Sequence, residues 1–252
     1  MKNLIMGLIL LGGTSLFAQD ELKIDGGVNF LSKYIFRGTV SSDHSTYNPY
    51  ISWEKGAFSG NLSAYYETSN TNYLTDFDSD WLEFDTELYY TFHETKNESF
   101  TAGYTYYGYN DDWYDSQELS LTWNLLNNNW NPYFKVSYDF DFYEGAYLQA
   151  GVSQTKIDRE WEYTFGMGIS YLSDYGKPML DKKNIKGIIY ANQIQTFSGM
   201  ADFTPSIQFV KHLDEESSLS LELMASIILD NDTYNNTAKD EFIWRVGYDL
   251  QF

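Results

Sequence analysis

Residues 241–252 read Glu-Phe-Ile-Trp-Arg-Val-Gly-Tyr-Asp-Leu-Gln-Phe, and the alternation in this stretch decides the fold class. Side chains of an extended strand point to opposite faces in turn. Phe242, Trp244, Val246, Tyr248, Leu250 and Phe252 therefore share one apolar face, and Glu241, Ile243, Arg245, Gly247, Asp249 and Gln251 share a mostly polar one. A strand of this kind needs an apolar medium on one side and a polar one on the other.

The same period recurs upstream. Leu82, Phe84, Thr86, Leu88, Tyr90 and Phe92 oppose Glu83, Asp85, Glu87 and Tyr89. Trp161, Tyr163, Phe165, Met167, Ile169 and Tyr171 oppose Glu162, Thr164, Gly166, Gly168 and Ser170. Alternating segments bounded by turn residues fall at Leu22–Phe36, Tyr47–Trp53, Phe58–Glu67, Trp81–Phe92, Phe100–Tyr109, Ser116–Leu125, Pro132–Phe142, Ala146–Gln154 and Trp161–Tyr171, then at Ala201–Lys211, Ser218–Leu229 and Asp240–Phe252. This predicts about twelve strands. Leu172–Met200 is less regular: Gly187–Thr196 has strand character, but an odd strand would invert every later turn, so it is placed in a long excursion outside or within the barrel. A fourteen-strand count is the alternative.

Connections alternate in length as well. Glu54–Ala57, Lys156–Glu160 and Leu213–Ser217 are short, whereas Gly38–Thr46, Thr68–Asp80 and Asp230–Lys239 are longer. A soluble β-sandwich also alternates, but long strands, aromatic residues crowding strand ends and this turn asymmetry together predict an all-β, antiparallel up-and-down transmembrane barrel. The composition agrees. Aromatic residues make up 19% of the chain, with 23 Tyr, 17 Phe and 7 Trp, yet mean hydropathy is negative. A barrel hides apolar content in alternation, so its strands look polar on average.

At the other end, Met1-Lys2-Asn3 is a positive start, Leu4–Leu11 an apolar run and Ala18 a small residue at which to cut. The run is shorter than the roughly 20 apolar residues of a membrane-spanning helix. It reads as a secretory signal over 1–18, followed by a single domain over 19–252. Cysteine is absent, so disulfides, thiolate metal sites and a lipid-modified cysteine anchor are excluded together.

An alternating strand ending on Phe252, with Trp244 and Tyr248 on the same face, resembles the C-terminal sorting strand of bacterial outer-membrane barrels. The resemblance implies recognition by the barrel-assembly machinery. Near the start, Asn29–Gly38 reads Asn-Phe-Leu-Ser-Lys-Tyr-Ile-Phe-Arg-Gly. Ser32, Tyr34, Phe36, Arg37 and Gly38 resemble the Ser-x-Tyr-x-Phe-Arg-Gly strand end of the TorF or Gcw-type family of outer-membrane porins. Where that family has a short Gln-containing segment, this chain has Thr39-Val40-Ser41-Ser42-Asp43. The resemblance implies an outer-membrane barrel with a transport role, in contact with lipid and lipopolysaccharide.

Formal charge is −20, which disfavours nucleic-acid binding because phosphate contact needs clustered Lys and Arg. By the alternation, Glu83, Asp85, Glu87, Glu118, Asp139, Asp141, Glu162, Glu222 and Asp249 point inward, against Lys33, Arg37, Lys135 and Arg245. Unneutralised lumen carboxylates hold water and counter-cations, and such rings favour cation passage. The same groups can instead build a salt-bridge network that fills the lumen. Arg37 is expected to pair with inward carboxylates and hold the first strand in register, or to contact a solute. Tyr34 and Phe36 are expected on the opposite face as interfacial anchors. Tyr89 and Tyr107 offer lumen surfaces for stacking. The expected function is a passive channel for cations or neutral polar solutes; a closed structural or adhesive barrel is the alternative.

Enzymatic signals are weak. Ser41-Ser42-Asp43-His44-Ser45 contains the ingredients of general-base chemistry, but sequence neighbours do not form a converging triad, so an outer-membrane hydrolase is disfavoured. His93 and His212 end strands at the opposite rim. Asp76, Asp78 and Asp80 resemble the opening of a calcium loop, but Trp81 stands where an EF-hand needs Gly; a looser divalent-cation contact at the outer surface is all that survives. No cofactor motif and no metal-spaced His pair is present.

Overall fold

The computed structural model describes residues 21–68, 81–109, 115–126, 130–178, 194–230 and 239–252. The signal segment, Asp76, Asp78 and Asp80 lie outside them, as does Gly187–Thr196 apart from its last three residues. Alternation yields fourteen strands: β1 (Lys23–Leu31), β2 (Tyr34–Phe36), β3 (Thr39–Ser42), β4 (Thr46–Lys55), β5 (Phe58–Glu67), β6 (Trp81–Glu94), β7 (Glu98–Tyr109), β8 (Ser116–Leu125), β9 (Asn131–Asp139), β10 (Gly145–Asp158), β11 (Trp161–Pro178), β12 (Ile194–His212), β13 (Ser217–Ile228) and β14 (Glu241–Gln251). The described residues include no helix.

Twelve of these strands form a closed antiparallel barrel in which each pairs with its sequence neighbour, and β2 and β3 form a separate hairpin. Closure joins β1 to both β4 and β14, in registers that include Val28↔Pro49 and Val28↔Tyr248. Closing the sheet leaves no unpaired edge, the condition for strands to cross a bilayer. At the short-turn rim, Lys55 pairs with Phe58 and Asp158 with Trp161, so Gly56-Ala57 and Arg159-Glu160 are two-residue turns. Gly56 and Arg159 both take φ of 57°, the left-handed geometry that such tight hairpins demand.

Burial is inverted relative to a water-soluble domain. The exposed side chains include Leu88, Leu119, Leu121, Trp123, Phe134, Phe165, Leu221 and Val246, and the buried ones include Glu83, Glu118, Asp139, Ser137 and Ser220. A contiguous apolar exterior of this kind marks a surface built for a partner or for lipid.

Two sequence expectations are corrected. Leu22–Phe36 is not one strand. After Leu31, the Ser32 N–H still donates to Trp244 O at 2.9 Å, but the Trp244 N–H donates to Ser32 Oγ at 3.0 Å. The side chain supplants a main-chain carbonyl and the β1–β14 ladder ends there. The chain then turns inward as the β2–β3 hairpin, taking Tyr34 and Phe36 into the barrel and away from the outer interface. Second, the less regular stretch Leu172–Met200 is bounded by strands longer than the alternation indicates. β11 continues to Pro178 and β12 begins at Ile194, paired through two irregularities at Ile169/Tyr171 and Leu172/Tyr175. Bulges bend and twist a pair locally, and here the extension brings Leu172 and Tyr175 into a buried cluster with Tyr143 and Ala201.

Candidate channel interior

The hairpin reaches from the β1/β4 seam to the wall formed by β8, β10 and β11. Its turn is Arg37-Gly38, with φ of 50° and 76°. Gly38 adopts this geometry without a Cβ penalty. Arg37 Nη2 pairs with Glu118 on β8, and Nη1 donates to Tyr175 Oη at 2.6 Å. The guanidinium carbon also lies 4.6 Å from the Tyr147 ring centre and 5.0 Å from that of Tyr175. The Arg37 side chain is 7% exposed and that of Glu118 fully covered. Arg37 thus pins the hairpin tip to the far wall rather than holding the first strand in register.

The hairpin base is held on the other side. Tyr34 Oη donates to Glu83 Oε2 at 2.7 Å, and its ring stacks on Tyr65 at 4.2 Å. Phe36 packs edge-on against Tyr107. Glu83 and Asp85 are both buried, and Glu83 Oε1 and Asp85 Oδ1 have no hydrogen-bond partner among the described residues. Tyr107, expected to offer a stacking surface, is covered by Phe36.

Further carboxylates line this half. Asp139 accepts from Ser116 Oγ at 2.6 Å and from the N–H groups of Asp141 and Tyr143, both at 3.1 Å. Asp202, which alternation did not single out, accepts from Ser170 Oγ and from Ser226 Oγ. Asp141, expected to point inward, lies beyond the end of β9 in an exposed bend and accepts from Gln117 Nε2 at 2.7 Å. β9 stops at Asp139 because that side chain caps the bend.

Toward the short-turn rim the interior groups are only half-covered. Arg245 pairs with Glu222 at 2.9 Å, their side chains 36% and 21% exposed. Asp249 accepts from Tyr50 Oη at 2.5 Å, and Glu87 from Asn61 Nδ2 at 3.2 Å. Lys135 lies opposite Gln149 and Thr122, and Glu162 shares the row of Ser170, near the rim. At the opposite, long-loop end, near the base of the hairpin, Lys33 pairs with Glu241. Trp244, Tyr248 and Phe252 lie on the exterior row, where Trp244 packs on Phe30 at 5.5 Å.

The histidines separate as their positions in sequence suggest. His44 Nε2 faces Asp43 and Glu67 at the long-loop end, whereas His93 neighbours Glu98 at the other. Ser42 Oγ bonds to the main chain of His44, not to its ring. No nucleophile and base therefore meet in this loop.

An apolar exterior, a closed twelve-strand wall and a polar interior with one hairpin folded across it define a porin-type barrel. Solved structures similar to this chain include the KdgM porin, at 12% identity and TM-score 0.53 over 91% of this chain and 99% of that one. The NanC porin matches at 9% identity and TM-score 0.53 over the same shares. The COG4313 outer membrane channel from Pseudomonas putida F1 matches at 12% identity and TM-score 0.51, covering 96% of this chain and 100% of that one. No protein-family model and no curated protein sequence matches this chain. At these identities the likeness shows the fold.

Proposed function

We propose that the protein is an outer-membrane channel for small cations and neutral polar solutes, narrowed in its outer half by the β2–β3 hairpin. The observation that carries this reading is the interior charge balance. Lys33, Arg37 and Arg245 each face a carboxylate, and of the four inward bases Lys135 alone has no carboxylate within salt-bridge distance among the described residues. Glu83, Asp85, Glu87, Asp139, Asp202 and Asp249 have no cationic partner within salt-bridge distance among the described residues. A lumen of net negative charge concentrates cations and repels anions. KdgM has been solved in complex with disordered oligogalacturonate, a polyanion; the charge balance here opposes such a ligand. The exterior rows of Leu, Phe, Tyr and Trp suit a lipid environment and support an outer-membrane location.

The segment that resembles the TorF-type porins, Ser32–Gly38, is the one that leaves β1 and crosses the interior. It sets the width of the path. The buried Arg37–Glu118 pair also favours a second reading, a closed structural barrel in which the hairpin is a permanent plug.

Reversal potentials in a planar bilayer under a KCl gradient separate the two. A channel of this design gives a potential of the sign set by K⁺. Chloride selectivity would overturn the lumen reading, and absence of conductance in both the wild type and Arg37→Ala establishes the closed barrel.

A further inference from the structure

Asp43, His44 and Glu67 each present one ligand atom at the long-loop end, all within 4.8 Å of one another. His44 Nε2 lies 3.5 Å from Asp43 Oδ1 and 3.7 Å from Glu67 Oε1. Both separations exceed a normal N–H···O bond. The 3.5 Å separation matches the spacing of two ligands on one tetrahedral ion, about 3.3–3.6 Å for metal–ligand bonds near 2.0–2.2 Å, and the 3.7 Å one is within a small side-chain adjustment of it. The same nitrogen faces both oxygens, as a shared ion requires.

The three groups come from two elements that the fold holds together. Thr46 pairs with Glu67 where β4 meets β5, and the Thr68 N–H donates to Ser45 O at 2.9 Å. The Glu67 side chain is 2% exposed, so its carboxylate is fixed in the wall, while Asp43 and His44 are open to solvent at 51% and 36%. One buried anchor and two accessible ligands form a site that an ion can enter from outside. An imidazole with two carboxylates selects a borderline dication such as Zn²⁺ over the hard Mg²⁺ or Ca²⁺, which prefer all-oxygen shells.

We propose that Asp43, His44 and Glu67 bind a divalent transition-metal ion of the Zn²⁺ class, joining the outgoing end of the inward hairpin to the end of β5. The site is independent of solute selectivity in the lumen.

The test uses the full chain refolded in detergent, with Zn²⁺ as probe and Mg²⁺ as control, read through the ring resonances of its three histidines. One equivalent of Zn²⁺ shifts His44 alone, and Mg²⁺ at the same concentration shifts none. His44→Gln weakens Zn²⁺ binding by more than the roughly 10–100-fold that loss of an outer-shell partner costs. Glu67→Gln also weakens it, and His93→Ala leaves it unchanged. Absence of saturable binding, a shift of His93 or His212 in place of His44, or undiminished affinity in His44→Gln overturns the proposal. The wild-type resonances decide the matter even where a variant fails to fold.

Discussion

Arg37, at the turn of a hairpin inside the barrel, is ion-paired with Glu118 on the opposite wall, and both side chains are almost wholly removed from water. Such a pair contributes little beyond a well-packed apolar replacement, because desolvation offsets most of the Coulombic gain. Breaking it from one side is a different matter, since the surviving charge stays buried.

Arg37→Ala is therefore expected to destabilise the barrel by about 3–5 kcal/mol, and Arg37→Met with Glu118→Leu by much less. Urea unfolding of the refolded protein, followed by tryptophan fluorescence, measures both. A double variant as damaged as the single one would show that the pair is not an isolated unit.

Leu88 and Glu87 are sequence neighbours on opposite faces of β6, Leu88 exposed to the exterior and Glu87 bonded to Asn61 inside. In a bilayer Leu88→Arg is expected to cost roughly 2–4 kcal/mol if it lies near the midplane, and Glu87→Arg less. Folding into vesicles across a urea series compares them. The reverse order would mean the inside and outside of this strand are exchanged, since a one-residue slip inverts every side chain.

Gly145 opens β10 against the irregular part of β11. A Cβ there would meet the Tyr175 Cα and, at 2.6 Å, the Asp174 carbonyl oxygen. Main-chain atoms cannot rotate away, so Gly145→Ala is expected to cost about 1–3 kcal/mol and to disturb Tyr175 beneath Arg37. Gly247→Ala meets only the ends of Ser220 and Asn29 side chains and is expected to cost less. Equal urea midpoints for the two variants would argue against this packing.

Asp214, in the short turn before β13, accepts from Ser217 Oγ at 2.7 Å and from the Glu216 N–H at 3.0 Å, and these bonds hold its carboxyl below the ordinary value. A carboxyl whose pKa is lower folded than unfolded adds stability above the unfolded value and loses it as pH falls through the folded one. Asp214→Asn should flatten the acid limb of stability against pH in that window. An NMR titration placing the Asp214 midpoint at or above that of an unfolded aspartate would contradict the turn geometry.

The strands were legible because lipid and lumen impose opposite demands on successive residues, and β6, β14 and β11 as far as Ile169 keep that period with few departures, such as Thr86 on the outer row and Ile243 on the inner one. The hairpin was not legible as such. Tyr34, Phe36 and Arg37 keep the period of β1, so alternation alone continues the strand. The signal against continuation is Ser32, a polar residue in the exterior row of Val28 and Phe30, followed by Arg37-Gly38, a pair suited to a tight turn. The interior carboxylates offered a second clue. Buried Glu118 requires a cation, and its partner comes from a loop, which sequence periodicity does not place. Glu67 and Asp202 both fall on the inward rows of their strands, Glu67 with Asn61 and Ser63 and Asp202 with Ser206 and Gln208, but they stand at the edges of the segments read from sequence, Phe58–Glu67 and Ala201–Lys211, where a row is hardest to assign.

A cation channel narrowed by this hairpin is tested most directly by single-channel recording of the wild type beside Arg37→Ala with Glu118→Gln. That pair of changes frees the tip from the wall without leaving a buried charge there. The wild type should conduct with cation selectivity, and the variant should conduct more while keeping the sign of its reversal potential. Equal conductance in the two, or a wild type that passes chloride in preference to potassium, would contradict it.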